Sequence, residues 1–185
     1  MSSGFAATIS AGGVVVFPAD TVYGLACDPT DEDAVARLYA LKGRPPDKPA
    51  AVMFFSLDAL PELAPRTREL AERLLPGAVT LLVPSRLYPL AGGAGTLGLR
   101  VPDLPAFADV PPVLQTSANR AGGPDARALD EVPPSIRAGA DLVIDGGELA
   151  GTPSTVIDLR DYERDGTWRI VRAGAVPEAV IRSSA

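Results

Sequence analysis

Histidine is missing altogether from this 185-residue chain, and cysteine occurs once, as Cys27. Without an imidazole there is no Ser-His-Asp or Cys-His catalysis and no HExxH metalloprotease centre. A lone thiol supplies neither a zinc finger nor a disulfide framework, and it points to a reducing compartment. Any catalysis falls to carboxylates, Lys, Arg, hydroxyls, backbone dipoles or an oxygen-ligated metal. The first twelve residues carry no positive segment, and no apolar run approaches the roughly 20 residues of a membrane span. A cytoplasmic protein without membrane attachment is the expectation. Aromatics are scarce, with one Trp and four Tyr, which leaves little for stacking on bases. Lysine is scarcer still. Of 17 basic residues only Lys42 and Lys48 are lysines, and both flank Arg44 within seven residues. A chain that otherwise uses arginine has kept two ammonium groups there, a hint of a specific anion.

The remaining composition is globular: 46% hydrophobic and 22% charged residues argue against disorder and coiled coil. A single domain of this length buries about 70% of the surface its unfolded chain exposes. Nineteen prolines and 18 glycines are scattered without period, which suggests short elements and many loops. The net charge of -6 counts against a surface built for duplex DNA.

Apolar runs bounded by Gly or Pro predict buried strands at 14–17, 50–55, 79–83, 97–101, 113–116, 142–144, 155–159 and 168–171. The last two are read as a hairpin across Asp165-Gly166. Thr30, followed by three acidic residues, predicts the N-cap of a helix that ends at Gly43. Further helices are predicted over 5–10 and 67–75. No repeat or linker appears, and the reading is one α/β domain with a twisted mixed sheet.

The segment Gly93 to Gly98 spells GxGxxG, but loop precedes it and an extended stretch follows, so the dinucleotide fingerprint is rejected. Asp20 and Thr21 leave the first strand where α/β folds place ligands, or they bond their own backbone in a turn. The loop Lys42-Gly43-Arg44-Pro45-Pro46-Asp47-Lys48-Pro49 cannot be helical. It suits a polyphosphate, with Arg as a fork and Lys as a point charge, or it is an exposed basic loop. Thr116-Ser117-Ala118-Asn119 caps a helix or binds phosphate or ribose. Arg100 and Arg172 end strands, where a surface position is the ordinary expectation. Asp145-Gly146-Gly147-Glu148 reads as a turn, with a metal loop as its alternative.

In order along the chain, PADTVYGL, KGRPPDKP, LPGAVTLL, GTLGLRVP, TSAN, GTPSTVIDL and RIVRAG resemble the YrdC-like family, specifically its short threonylcarbamoyl-AMP synthases. The resemblance spans roughly Gly12 to Gly174. It implies a single YrdC-like domain over 1–185, without the additional C-terminal domain of the longer members, folded around a cationic concave pocket. It implies formation of threonylcarbamoyl-AMP and pyrophosphate from L-threonine, bicarbonate or CO2 and ATP, for the t6A modification of tRNA. Mg²⁺ would be carried by the ATP, and no metal is bound by the chain itself. RNA or tRNA and the proteins of the later t6A transfer step are the further partners implied.

By the same resemblance Lys42 and Arg44 are the catalytic, phosphate-binding pair. Arg44, Lys48, Thr96, Ser117, Asn119 and Arg172 bind nucleotide, while Thr21, Arg100 and Ser154 bind threonine, Arg100 through its carboxylate. The chain departs from the family's usual Thr at Ala19, its frequent Asn at Lys48 and its frequent His at Met53. Met53 is expected near the amino-acid pocket. The chemistry suits a histidine-free chain: the amine adds CO2 to give a carbamate, already an anion, which attacks the α-phosphorus. The protein then only aligns the reactants and neutralises charge. The alternative is an RNA-binding or nucleotide-binding paralogue without synthase activity.

Overall fold

The computed structural model describes residues 2–45 and 47–185; Met1 and, within the basic loop, Pro46 lie outside them. The elements run α1 (Ser2–Ser10), β1 (Val15–Pro18), β2 (Tyr23–Cys27), α2 (Glu32–Lys42), β3 (Ala51–Met53), α3 (Pro65–Leu74), β4 (Val79–Pro84), β5 (Thr96–Arg100), β6 (Val113–Ser117), α4 (Pro134–Gly139), β7 (Leu142–Val143), β8 (Thr155–Asp158), α5 (Tyr162–Asp165), β9 (Arg169–Arg172) and α6 (Glu178–Ser184). The strands of the described residues form one sheet in the order β7-β1-β2-β6-β3-β5-β4-β8-β9. The pairs β1/β7, β3/β5 and β4/β8 are parallel and the rest antiparallel. It is the mixed sheet that the sequence predicts.

Alternation along the strands sorts the core into two layers. Val16, Leu25, Val52 and Leu81 point to the side covered by α2, α3, α5 and α6, where Leu38, Leu70, Tyr162 and Ile181 meet them. Their neighbours Val15, Phe17, Ala26, Met53 and Phe55 point to the other side. There α1 and a 3₁₀ turn at Pro105–Phe107 bring in Phe5 and Phe107. Phe5 meets Phe17 and Phe107 edge-on at centroid separations of 5.0 and 5.2 Å. Each such pair contributes about 0.5–1.5 kcal/mol beyond area burial. This aromatic layer covers only part of that face; beyond it, across β5, β4 and β8, the sheet lies open as a cavity.

Three readings need correction. The N-cap of α2 is Asp31, whose carboxylate accepts from the Ala34 amide, while Thr30 bonds Asp28 instead. The segment after Pro18 is not merely a turn: it re-enters the sheet as β2, buried at every position. Strands β8 and β9 pair antiparallel as foreseen, but the short α5 stands between them ahead of Gly166.

Candidate active site

The cavity holds about 540 Å³. Its floor is the outward-facing row of β3, β5, β4 and β8, with Ala51, Gly98, Thr80, Leu82, Val156 and Asp158. Five arginines line it (Arg44, Arg100, Arg160, Arg169 and Arg172) against two carboxylates, Asp125 and Asp158. The lining is therefore cationic inside a chain of net charge -6. Its wall includes the 92–94 turn, where a Cβ on Gly93 would stand 2.0 Å from the Thr96 carbonyl oxygen, so only glycine fits.

Arg44 reaches this wall because of how α2 ends. Gly43, at φ 62°, closes the helix: its amide donates to Ala40 O at 3.0 Å and the Arg44 amide to Tyr39 O at 2.9 Å. This reversal through a left-handed glycine turns the chain between Lys42 and Arg44. Arg44 then lies over the Tyr39 ring at 5.8 Å and donates to Lys48 O at 3.2 Å and to Pro49 O. Lys42 stays in the last helical turn, 3% exposed. Its Nζ donates to Ser117 O at 2.6 Å, Asn119 O at 2.9 Å and Asn119 Oδ1, with Ser117 Oγ at 3.3 Å.

Arg100 stands on the far side, at the end of β5, and its exposure is 3% rather than that of a surface arginine. Its Nη2 donates to the Asp20 carboxylate and to Thr21 Oγ1 at 3.0 Å, while its buried Nε has no partner. Burial and the Arg172 charge both disfavour the guanidinium, and Asp20 opposes them; burial likewise raises the Asp20 carboxyl against the pull of Arg100. Asp20 is not in the cavity wall, so it touches Arg100 from behind. Arg172 donates to Ser154 O at 2.7 Å and Ser154 Oγ at 3.1 Å, and Ser154 Oγ lies 2.8 Å from Thr80 Oγ1. Asp158, held well below the usual carboxylate range first by Arg160, also binds Arg169.

Of the residues singled out in the sequence, Thr21, Arg44, Thr96, Arg100, Ser117, Ser154 and Arg172 line one cavity. Lys42 and Asn119 adjoin it through Ser117. Lys48 is exposed and outside the wall, its carbonyl accepting from Tyr39 Oη at 2.9 Å. Met53 pairs with Arg100 in strand register but is 0% exposed, packed in the aromatic layer rather than lining the pocket. Sequence reading missed Thr80, Asp125, Asp158, Arg160 and Arg169. Alternation along β4 and β8 was the available signal for Thr80 and Asp158; for the others there was none. The 145–148 segment is a turn: Asp145 accepts from Tyr23 Oη at 3.0 Å and from the Gly147 amide at 2.9 Å, and Glu148 pairs with Arg127. Among the described residues no group of three His, Cys, Asp or Glu is placed to hold a metal, and no helix is long and apolar enough to cross a membrane.

The fold is an α/β sheet with an open cavity, lined by loop-borne donors and a buried arginine. Residues 7–174 match the Sua5/YciO/YrdC family, described as telomere recombination, and the chain belongs to it. It is 38% identical to a threonylcarbamoyl-AMP synthase of Pseudomonas syringae, over 90% of this chain and 93% of that protein. It is 36% identical to one of Pyrococcus abyssi over 83% of this chain, but spans only 49% of that longer relative. Among solved structures, P. abyssi Sua5 complexed with L-threonine matches with a TM-score of 0.85 and 34% identity, over 97% of this chain and 56% of that one. E. coli YciO matches at 0.79 and 28%, over 96% and 91%.

Proposed function

We propose that this chain is an L-threonylcarbamoyladenylate synthase, making threonylcarbamoyl-AMP and pyrophosphate from L-threonine, bicarbonate or CO2 and ATP for t6A modification of tRNA. The observation that carries the reading is one cavity joining phosphate-type donors, Arg44 and Ser117, to the buried Arg100 with its unpartnered Nε. An amino-acid carboxylate in the cavity meets the Arg100 guanidinium, and a charge-assisted bond of this kind contributes roughly 1.5–3 kcal/mol. The names of the relatives support the synthase over the RNA-binding alternative.

In this reading the threonine amine adds to CO2, losing a proton, and a carbamate oxygen then attacks the α-phosphorus as the bond to pyrophosphate breaks. Arg100 and Thr21 hold the amino acid in line. Arg44, Ser117, Thr96 and Arg172 hold the nucleotide and offset its negative charge. The donor set fits phosphates better than a bare metal, because Asp158 is already spent on two arginines. Mg²⁺ would therefore enter on the ATP, where it supplies further charge neutralisation. The decisive test is mass spectrometry after incubation with ATP, threonine and bicarbonate. Threonylcarbamoyl-AMP that appears only with all three supports the reading; pyrophosphate release indifferent to threonine would sink it.

A further inference from the structure

The basic pair on either side of Gly43 does not face one way. Arg44 lies in the cavity wall, whereas Lys42 stands behind it, with three protons shared among four oxygens of Ser117 and Asn119. The Lys42 carbonyl also accepts the Ala121 amide at 2.9 Å, so backbone and side chain together tie α2 to the 117–121 loop. Within that loop Ser117 Oγ lies 2.8 Å from Asn119 Oδ1, and Asn119 Nδ2 donates to Gly123 O at 2.6 Å. An ammonium carries three donors and no acceptor. Saturated by protein oxygens, this one has none left for a phosphate.

We propose that Lys42 is a positioning residue that holds the Ser117–Asn119 loop in its nucleotide-binding shape, and that phosphate contact from this motif belongs to Arg44. The inference rests on the reading that this loop binds nucleotide. A phosphate ligand would discriminate ATP from AMP; a strut behind the loop serves both equally. A second consequence concerns pH. Burial and Arg44 lower Lys42 to about 8, with Asp125 opposing and Lys48 adding to the effect; the other groups facing it, on Ser117 and Asn119, are neutral. Because the closed loop holds Lys42 at a lower pKa than an opened one would, loss of the proton favours the closed loop, so it tightens as pH rises.

The experiment measures Kd for ATP and for AMP by calorimetry in wild type, Lys42→Met, Lys42→Arg and Arg44→Ala, with hydrogen exchange of the 117–123 amides. Lys42→Met should weaken ATP and AMP by the same factor, within about twofold, and speed loop exchange about tenfold or more. Arg44→Ala should weaken ATP at least about tenfold more than AMP and leave loop exchange unchanged. In wild type, opening of the loop, read from exchange corrected for its intrinsic pH dependence, should become up to about tenfold rarer between pH 7.5 and 9, a slope absent from Lys42→Met. A Lys42→Met protein that loses ATP selectively with the loop still protected overturns the proposal. Should Lys42→Met not fold, the wild-type pH slope and Lys42→Arg, whose planar fork cannot serve four oxygens around a point, give the same decision. Wild type that binds neither nucleotide overturns the function above, while loop exchange still decides the role of Lys42.

Discussion

Two cations are buried beside the same cavity, and the chain compensates them in different ways. Lys42 is surrounded by neutral oxygens of one loop and is saturated. Arg100 has one full counter-charge, Asp20, one hydroxyl, Thr21, and an Nε left over. A buried cation whose donors are all used belongs to the scaffold; one that lines the cavity with its donors not all used is open to a ligand. The difference separates the basic residues of this chain by role, which their charge alone does not.

The largest effect expected from this contrast is at Asp20. Asp20→Ala leaves the Arg100 guanidinium buried without its counter-charge, a change that costs about 3–5 kcal/mol. Chemical denaturation measures it, and a loss under about 1 kcal/mol would mean that solvent in the cavity already compensates Arg100. Next comes Arg100→Lys. Lysine keeps the charge but offers a point where a planar fork fits both carboxylate oxygens. The threonine KM should rise about tenfold for each 1.4 kcal/mol lost, with the ATP KM little changed. If the ATP dependence shifts and threonine is untouched, the two halves of the site are assigned the wrong way round.

Lys42 gives a smaller, pH-dependent effect. Its folded pKa of about 8 lies below the ordinary 10.5, so between those values the unfolded chain binds more protons and stability rises with pH. Relative to Lys42→Met, wild type should gain on the order of 1–2 kcal/mol between pH 7 and 9.5. A difference that stays flat would mean that the loop oxygens hold the ammonium at its ordinary pKa. The smallest stability effect belongs to Arg44, which is half-buried and, among the described residues, donates to carbonyls of its own loop. Arg44→Ala should stay within about 0.5 kcal/mol in thermal unfolding while abolishing pyrophosphate release. A large drop in Tm would make this arginine structural.

Much of the sheet was legible from the sequence because Gly and Pro bracket short apolar runs. Strand β2 was not, since Tyr23-Gly24-Leu25-Ala26-Cys27 lacks polar alternation: both its faces are covered, one by α2 and the other by the aromatic layer. Met53 illustrates a limit of position-by-position comparison. It neighbours Arg100 in register, yet it is fully buried in the same apolar cluster as Phe55 and Phe107.

The sequence by itself determined what kinds of chemistry were open to this protein. With no histidine and one cysteine, it confined any site to arginine, lysine, hydroxyls and carboxylates, and its spaced motifs marked which of them to watch. Only the tertiary structure decided what each cation does. Lys42 and Arg44 are two residues apart and chemically alike, but the left-handed Gly43 between them turns one into the scaffold and the other into the cavity. Arg100 and Asp20, 80 positions apart, meet only because folding brings the segment after β1 to the end of β5. Which donors remain free depends on the oxygens that folding brings within reach, and that is a property of packing rather than of residue type.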